Sequence, residues 1–227
     1  MKLEKVTHQS VRKYHDACGA AHGLDLVGER WALLVMRELM FGPRRFRDLR
    51  KDLCGLSANV LTQRLEGLEA SGIIRRRKLP PPASVQVYEL TDWGRELKPL
   101  YALLGHWAAR SPTHDPTLPL SPVSIVMSLE TMFDADKAGD ARIDVGLALG
   151  DDAFRVRVAD GVLTAERAEV AGAEVVFDTQ PPALAGAIYG GAPLEALEAE
   201  GLLTLTGDRV KARRFTTFFD LPEKVSA

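Results

Sequence analysis

Two cysteines in a chain of 227 residues are too few for a disulfide framework, and no cysteine–histidine cluster has the spacing of a structural zinc site. Long apolar runs are also missing. The longest stretch without a charged side chain, 179–194, has 16 residues and contains three prolines. That falls short of the roughly 18 apolar residues a membrane span needs. Met1-Lys2-Leu3-Glu4-Lys5 is charged and leads into no apolar segment, so no secretory signal is expected and the cytoplasm is the expected location. No G-x-S-x-G, P-loop, H-E-x-x-H or dinucleotide glycine motif occurs. The five histidines, His8, His15, His22, His106 and His114, are scattered and all precede residue 123. The expectation is a protein that is not an enzyme and needs no cofactor and no metal. What is present can fill a core: 46% of the residues are hydrophobic and 26% charged, which argues against a disordered chain.

The net charge of −2 conceals two unlike halves. Residues 1–110 carry 19 Lys and Arg against 12 Asp and Glu, a net +7; residues 111–227 carry 10 against 19, a net −9. A basic half suits an anionic partner that the acidic half would repel. Between them, Ser111 to Pro122 holds four prolines in twelve residues. Proline fixes φ and has no N–H, so this reads as a semi-rigid linker. The expected division is a domain over 1–110, a linker over 111–122 and a second domain over 123–227.

In the first half, residues 24–41 are helix-compatible around Gly28 and stop at Gly42-Pro43. Phe46, Leu49 and Leu53 mark a short amphipathic helix that Gly55 ends. Ser57 is a good N-cap for a helix over 58–70. Leu61, Leu65 and Leu68 form its apolar stripe, so Asn59, Gln63 and Glu66 point the other way with Thr62 on the flank. Short helix, turn and helix with an outward amide and hydroxyl row is the helix-turn-helix pattern, and those side chain types hydrogen-bond base edges in a major groove. Residues 73–79 read as a strand, 80–84 as a turn and 85–90 as an alternating strand, which makes a winged helix-turn-helix. The hairpin carries Arg75, Arg76, Arg77 and Lys78 toward a phosphate backbone, with alternation sending Arg75 and Arg77 to one face and Arg76 and Lys78 to the other. Thr91 caps a last helix. Trp93, Leu97, Leu100, Tyr101, Leu104 and Trp107 form a stripe on it, and Pro99 must kink that helix or start it anew. A stripe with two tryptophans at the edge of a small domain suits a two-fold dimer contact.

These residues resemble the HxlR-type winged-helix transcriptional regulators. The blocks W-A-L-L, G-P-R-R-F, L-T-Q-R-L and Y-E-L-T occur in order between Cys18 and Leu97 over about 90 residues. The resemblance implies a dimeric bacterial DNA-binding regulator related in fold to the MarR group. It implies base reading near Asn59, Thr62 and Gln63, backbone contacts from Arg44, Arg45 and Arg64, and a wing over 73–90; Ser57, at the start of the same helix, is a further candidate DNA-binding residue. It also implies a cysteine near the N-terminus that senses oxidants in some members. Cys18 is the redox candidate here, although Gly19 follows it where many members have proline.

The second half alternates apolar and polar over 141–149 and 153–159, with turns at Asp151-Asp152 and Asp160-Gly161, where carboxylates ordinarily face solvent. Further strands are expected from 162, over 173–178 and over 202–206. Residues 123–133 are apolar and read as helix or strand, and helices are expected over 183–189, 193–200 and 210–219. V-V-F-D-T at 175–179, the proline-started helix after it and G-L-L-T-L-T-G-D at 201–208 resemble the sterol carrier protein type 2-like domain. That resemblance implies a sheet packed on helices around an apolar tunnel. Phe154, Leu184, Ile188, Phe215, Phe218 and Phe219 are its candidate lining, and aromatic stripes equally fill solid cores. The expected fold is thus an N-terminal winged helix-turn-helix, mostly α with a β-hairpin wing, followed by a C-terminal α+β sterol-carrier-like domain. The expected partners are double-stranded DNA, a second copy of the chain and a small hydrophobic ligand, with no membrane. The alternative is a lipid or acyl-ligand carrier that uses the winged helix as an interaction or dimerisation module.

Overall fold

The computed structural model describes residues 13–226; His8 lies outside them. The helix expected over 24–41 is two helices. α1 spans Gly19–Val27 and α2 spans Ala32–Glu38, with Trp31 between them in the left-handed region at φ 78°. A bulky residue there interrupts the regular right-handed path. α2 also stops before Gly42-Pro43. α3, Phe46–Asp52, and α4, Ala58–Ala70, follow the expected pattern. Ser57 Oγ accepts the Val60 N–H at 3.3 Å, and Leu61, Leu65 and Leu68 are buried. Gly72, at φ 72°, turns the chain out of α4 without the steric cost a side chain would add.

β1, Ile74–Lys78, pairs antiparallel with β2, Gln86–Leu90, from Ile74 opposite Leu90 to Lys78 opposite Gln86. Arg44 adds a bridge to Tyr88 on the outer edge of the hairpin. Thr91 Oγ1 accepts the Gly94 N–H at 3.1 Å and so caps α5, Asp92–Arg95. Pro99 lies in the first turn of α6, Lys98–Ala109, where its missing N–H costs nothing, so it starts the helix anew. Residues 110–121 form no helix or strand.

The second half opens with α7, Pro122–Met132, and the four-residue α8, Ala135–Ala138, which the sequence did not signal. β3, Ile143–Leu149, β4, Asp152–Ala159, and β5, Val162–Arg167, form a meander. β6, Val175–Thr179, then lies parallel to β3, and β7, Leu203–Gly207, closes the far edge. The sheet order is β5-β4-β3-β6-β7, with β3 and β6 the parallel pair. α9, Pro181–Tyr189, and α10, Leu194–Ala199, connect β6 to β7, and α11, Arg209–Thr216, follows. Phe154, Phe177, Phe215 and Phe218 are fully buried.

The buried apolar cluster runs through both halves. α7 packs on α2 and α6, and the rings of Phe41 and Phe154 meet edge to face with centroids 5.5 Å apart. Asp152, expected in a solvated turn, is instead the first residue of β4. It is buried against Arg44 and Arg167, because two guanidinium groups compensate the desolvation of its carboxylate.

Candidate nucleic-acid interface

α4 presents Asn59, Thr62, Gln63 and Glu66 to solvent on the face opposite its leucines. Thr62 Oγ1 donates back to the Ala58 carbonyl at 3.0 Å, and the Ser57 hydroxyl oxygen is engaged as the helix cap. Ser57 therefore positions the helix and Asn59 and Gln63 carry its amides.

The wing arginines begin in ion pairs. Arg75 Nε donates to Glu89 Oε1 at 2.7 Å and Arg77 Nη2 to Glu89 Oε2 at 2.9 Å, on one face of the hairpin. Burial pushes the Glu89 carboxyl up, but the bonds from Arg75 and Arg77 outweigh it and hold the group below its ordinary value. On the other face Arg76 Nε donates to Glu69 Oε2 at 2.8 Å, and its guanidinium lies 5.9 Å from the Tyr88 ring centroid. The bond from Arg76 holds Glu69 below the ordinary glutamate value. All three arginines and Lys78 remain exposed. The glutamates orient the guanidinium groups without burying them, so the wing stays open to an anion.

Three expected backbone contacts are placed differently from these. Arg45 is the N-cap residue of α3 and half-buried. Arg64 Nη1 lies 3.2 Å from Glu29 Oε2, with its side chain 19% exposed. Arg44 corrects its expectation: its side chain is 10% exposed and points into the junction with the second half, held by Asp52 and Asp152.

The α6 stripe divides in the same way. Leu97 and Tyr101, expected at a subunit contact, pack inside the chain, and the Tyr101 hydroxyl donates to the Leu33 carbonyl at 2.6 Å. Burial raises that phenol. Leu100, Leu104 and Trp107 are exposed, as is Trp93. Leu103, 71% exposed, joins Leu100, Leu104 and Trp107 at i, i+3, i+4 and i+7; its position was legible from helical spacing alone once α6 is started at Lys98. Cys18 is exposed at the N-terminus of α1, where the backbone N–H groups of Ala21 and Ala20 hold its thiol below the ordinary value.

The expected ligand residues do not line a cavity. Phe154, Leu184, Ile188, Phe215, Phe218 and Phe219 are buried against one another and their neighbours as solid core. A cavity of about 520 Å³ lies elsewhere, between the 114–120 segment, α7 and α9. Among the described residues, no group of three or more His, Cys, Asp or Glu is arranged to hold a metal ion, and no helix is long and apolar enough to cross a membrane.

Comparison with known proteins follows the same division. Residues 26–115 match the family model described as HxlR-like helix-turn-helix, and residues 115–225 match the one described as Alkyl sulfatase C-terminal. The second half, expected to be sterol-carrier-like, thus matches under another description. The chain is 34% identical over 85 residues to the HTH-type transcriptional regulator YvaP of Bacillus subtilis (strain 168), covering 37% of this chain and 79% of that one. It is 34% identical over 83 residues to the HTH-type transcriptional regulator YodB of the same organism, covering 37% and 74%. A solved structure of the stereoselective inverting sec-alkylsulfatase Pisa1 from Pseudomonas sp. is 23% identical with a TM-score of 0.41, over 44% of this chain and 16% of that one. By its capped α4, its paired wing and this match, the chain belongs to the HxlR-like helix-turn-helix family.

Proposed function

We propose that the protein is a cytoplasmic transcription regulator that binds a pseudo-palindromic double-stranded DNA operator as a homodimer, and that it is not an enzyme. The observation that carries this reading is the exposed row of Asn59, Thr62 and Gln63 on α4, beside a hairpin of exposed arginines. α4 enters the major groove with its amides against base edges, and the wing lays Arg75, Arg76, Arg77 and Lys78 along the phosphates. Bases are told apart by the first set, while the second supplies affinity without sequence information. The exposed stripe of Leu100, Leu103, Leu104 and Trp107 closes the dimer across a two-fold axis, with Trp93 at its edge. Two α4 helices then lie about 34–36 Å apart, one DNA turn. The chain divides functionally into a DNA-binding and dimerisation part over 1–110, a linker over 111–122 and a second part over 123–227. That second part keeps the sheet-on-helices arrangement of a sterol-carrier-like domain, without the phenylalanine-lined tunnel, and responds to a small apolar ligand. The relatives named as HTH-type transcriptional regulators and the basic charge of the first half support the reading.

The test is selection of genomic fragments at two salt concentrations, followed by titration of single variants on the selected site. Gln63→Ala is expected to lose about 1–3 kcal/mol of discrimination between the selected site and a base-changed one. Arg77→Ala is expected to weaken binding to all sequences and to reduce the salt slope by about 0.9. Unaltered DNA binding in both variants would overturn the assignment.

A further inference from the structure

The cavity of about 520 Å³ is walled on one side by the proline-rich segment and on the other by α7 and α9; no strand contributes to it. Its volume is in the range of pockets that enclose a drug-sized ligand. Leu118, Leu120, Pro182, Ala185 and Leu221 make it largely apolar. The chain end holds the segment wall in place: Val225 N–H donates to the Arg110 carbonyl at 2.9 Å, and Lys224 Nζ donates to the carbonyls of Ala109 and His114 at 3.0 and 3.1 Å.

Two polar features decide what fits. Inside, Ser128 Oγ and Tyr189 Oη lie 2.7 Å apart. One of the two hydroxyl protons makes that bond and the other is free to be donated. Burial pushes the Tyr189 phenol up to about 12, against a smaller opposite pull from Ser128, so it keeps its proton at neutral pH. Charge is confined to the rim. Among the described residues no lysine or arginine lines the cavity, and the single lining carboxylate, Asp115, is bonded by Thr117 N–H and Oγ1 at 2.9 and 2.6 Å. Lys224, anchored beside His114, offsets Asp115 in the same neighbourhood. An ionised ligand would lose its hydration here, and Lys224, the cation beside the cavity, is already engaged by the Ala109 and His114 carbonyls and by the charge of Asp115.

We propose that this pocket binds an uncharged, largely apolar small molecule whose hydroxyl or carbonyl oxygen accepts a hydrogen bond from the Ser128–Tyr189 pair. This deepens the reading of the second half as ligand-responsive. It also puts the ligand against the segment that joins the two halves, not in the phenylalanine core. Any effect on DNA rests on the regulator reading, whereas occupancy of the pocket does not.

The test uses the full chain without DNA, so that failure of operator binding and failure of ligand binding are read separately. The neutral fluorophore N-phenyl-1-naphthylamine is titrated in, then displaced by 1-decanol or by decanoate. Saturable fluorescence is expected, with 1-decanol displacing the probe at a concentration at least about tenfold lower than decanoate. A Cβ built on Gly186, a lining residue, meets nothing within 4 Å. Gly186→Phe is therefore expected to fill the space and weaken probe binding by about tenfold or more, with the unfolding midpoint retained. The double variant Ser128→Ala with Tyr189→Phe, which removes both donors, is expected to bind the probe as before and to need a several-fold higher concentration of 1-decanol to displace it; this readout decides if Gly186→Phe does not fold, and unchanged displacement by 1-decanol would overturn the hydrogen bond to the pair. A titration that does not saturate, equal displacement by decanoate, or full probe binding in a folded Gly186→Phe would each overturn the proposal.

Discussion

Arg44 donates to the carboxylate of Asp152 at 2.6 Å, tying a residue of the helix-turn-helix half to one 108 positions later in the acidic half. Asp52 takes the other arm of the same guanidinium, and Arg167 takes Asp152 from the sheet. Two arginines and two aspartates thus meet at the junction, largely out of water. The acidic half presents its carboxylate to an arginine that the family resemblance assigns to a DNA phosphate.

Removal of Asp152 leaves Arg44 and Arg167 facing one another where Arg44 Nε, Arg167 Nε and Arg167 Nη2 already have no hydrogen-bond partner among the described residues. Asp152→Ala is expected to cost about 3–5 kcal/mol in urea unfolding, because an uncompensated buried charge remains. Asp151→Ala is expected to change little, since the Lys51–Asp151 pair is exposed on both sides. Equal, small effects from the two variants would show that the junction is solvated in solution.

Gly94 sits where α5 abuts the start of the wing. A Cβ there would lie 2.2 Å from the Ile73 carbonyl oxygen, and that carbonyl also accepts from Thr91 N–H and Oγ1 at 3.0 and 3.1 Å. Backbone held by two bonds cannot yield cheaply. Gly94→Ala is expected to destabilise the chain by about 1–3 kcal/mol, read as a lower urea midpoint at unchanged slope. A midpoint within error of the parent chain would mean that the contact of α5 with Ile73 is loose.

Local signals were legible in the sequence. Ser57 and Thr91 are caps, Leu61, Leu65 and Leu68 a buried stripe, and every expected strand of the second half is present within a few residues. Periodicity and capping depend on near neighbours, so spacing reports them. Long-range pairings were not legible. Nothing in the spacing of Arg44 and Asp152 says that they meet, and the alternation around Asp152 is the same for a solvated turn as for a buried clamp. The cavity was misplaced for the same reason. Phe154, Phe215, Phe218 and Phe219 advertise apolar surface, but whether a set of rings packs solid is set by the approach of α11 to the sheet. The linker wall of the cavity carries few large side chains and gave no periodic signal.

The Asp144–Arg155 pair sets an acid limb. Arg155 Nε donates to Asp144 Oδ1 at 2.9 Å, and its Nη1 reaches the Ala171 carbonyl at 2.7 Å, pinning the segment before β6. The bond from Arg155 holds the Asp144 carboxyl below the ordinary aspartate value of 3.8, against the opposing effect of burial. A depressed folded value means that the contribution is complete above 3.8 and is lost as pH falls through the lower folded value. Asp144→Asn is expected to cost about 1 kcal/mol at pH 7, given the partial exposure of the carboxylate, and nothing once both forms are neutral. Urea unfolding of the two proteins from neutral pH downward should therefore converge at the acid end; a constant gap would assign the cost to packing.

The face of α6 gives the most direct test of assembly. Leu103 and Trp107 are each 71% exposed, and Leu100 and Leu104 flank them, so the stripe has no cover among the described residues. In the proposed two-fold contact a lysine at Leu103 brings an ammonium group from each copy into an apolar seam. Leu103→Lys is expected to convert a dimer to a monomer by light scattering after size exclusion. Because the site faces water in the single chain, the variant's own fold should be perturbed by no more than about 0.5 kcal/mol. Operator affinity should fall with the dimer, since a single α4 reads only a half-site. Tyr101→Phe removes only the internal bond to Leu33 and should leave the mass unchanged. A parent chain that is monomeric at micromolar concentration, or a Leu103→Lys chain that stays dimeric, would remove α6 from the contact.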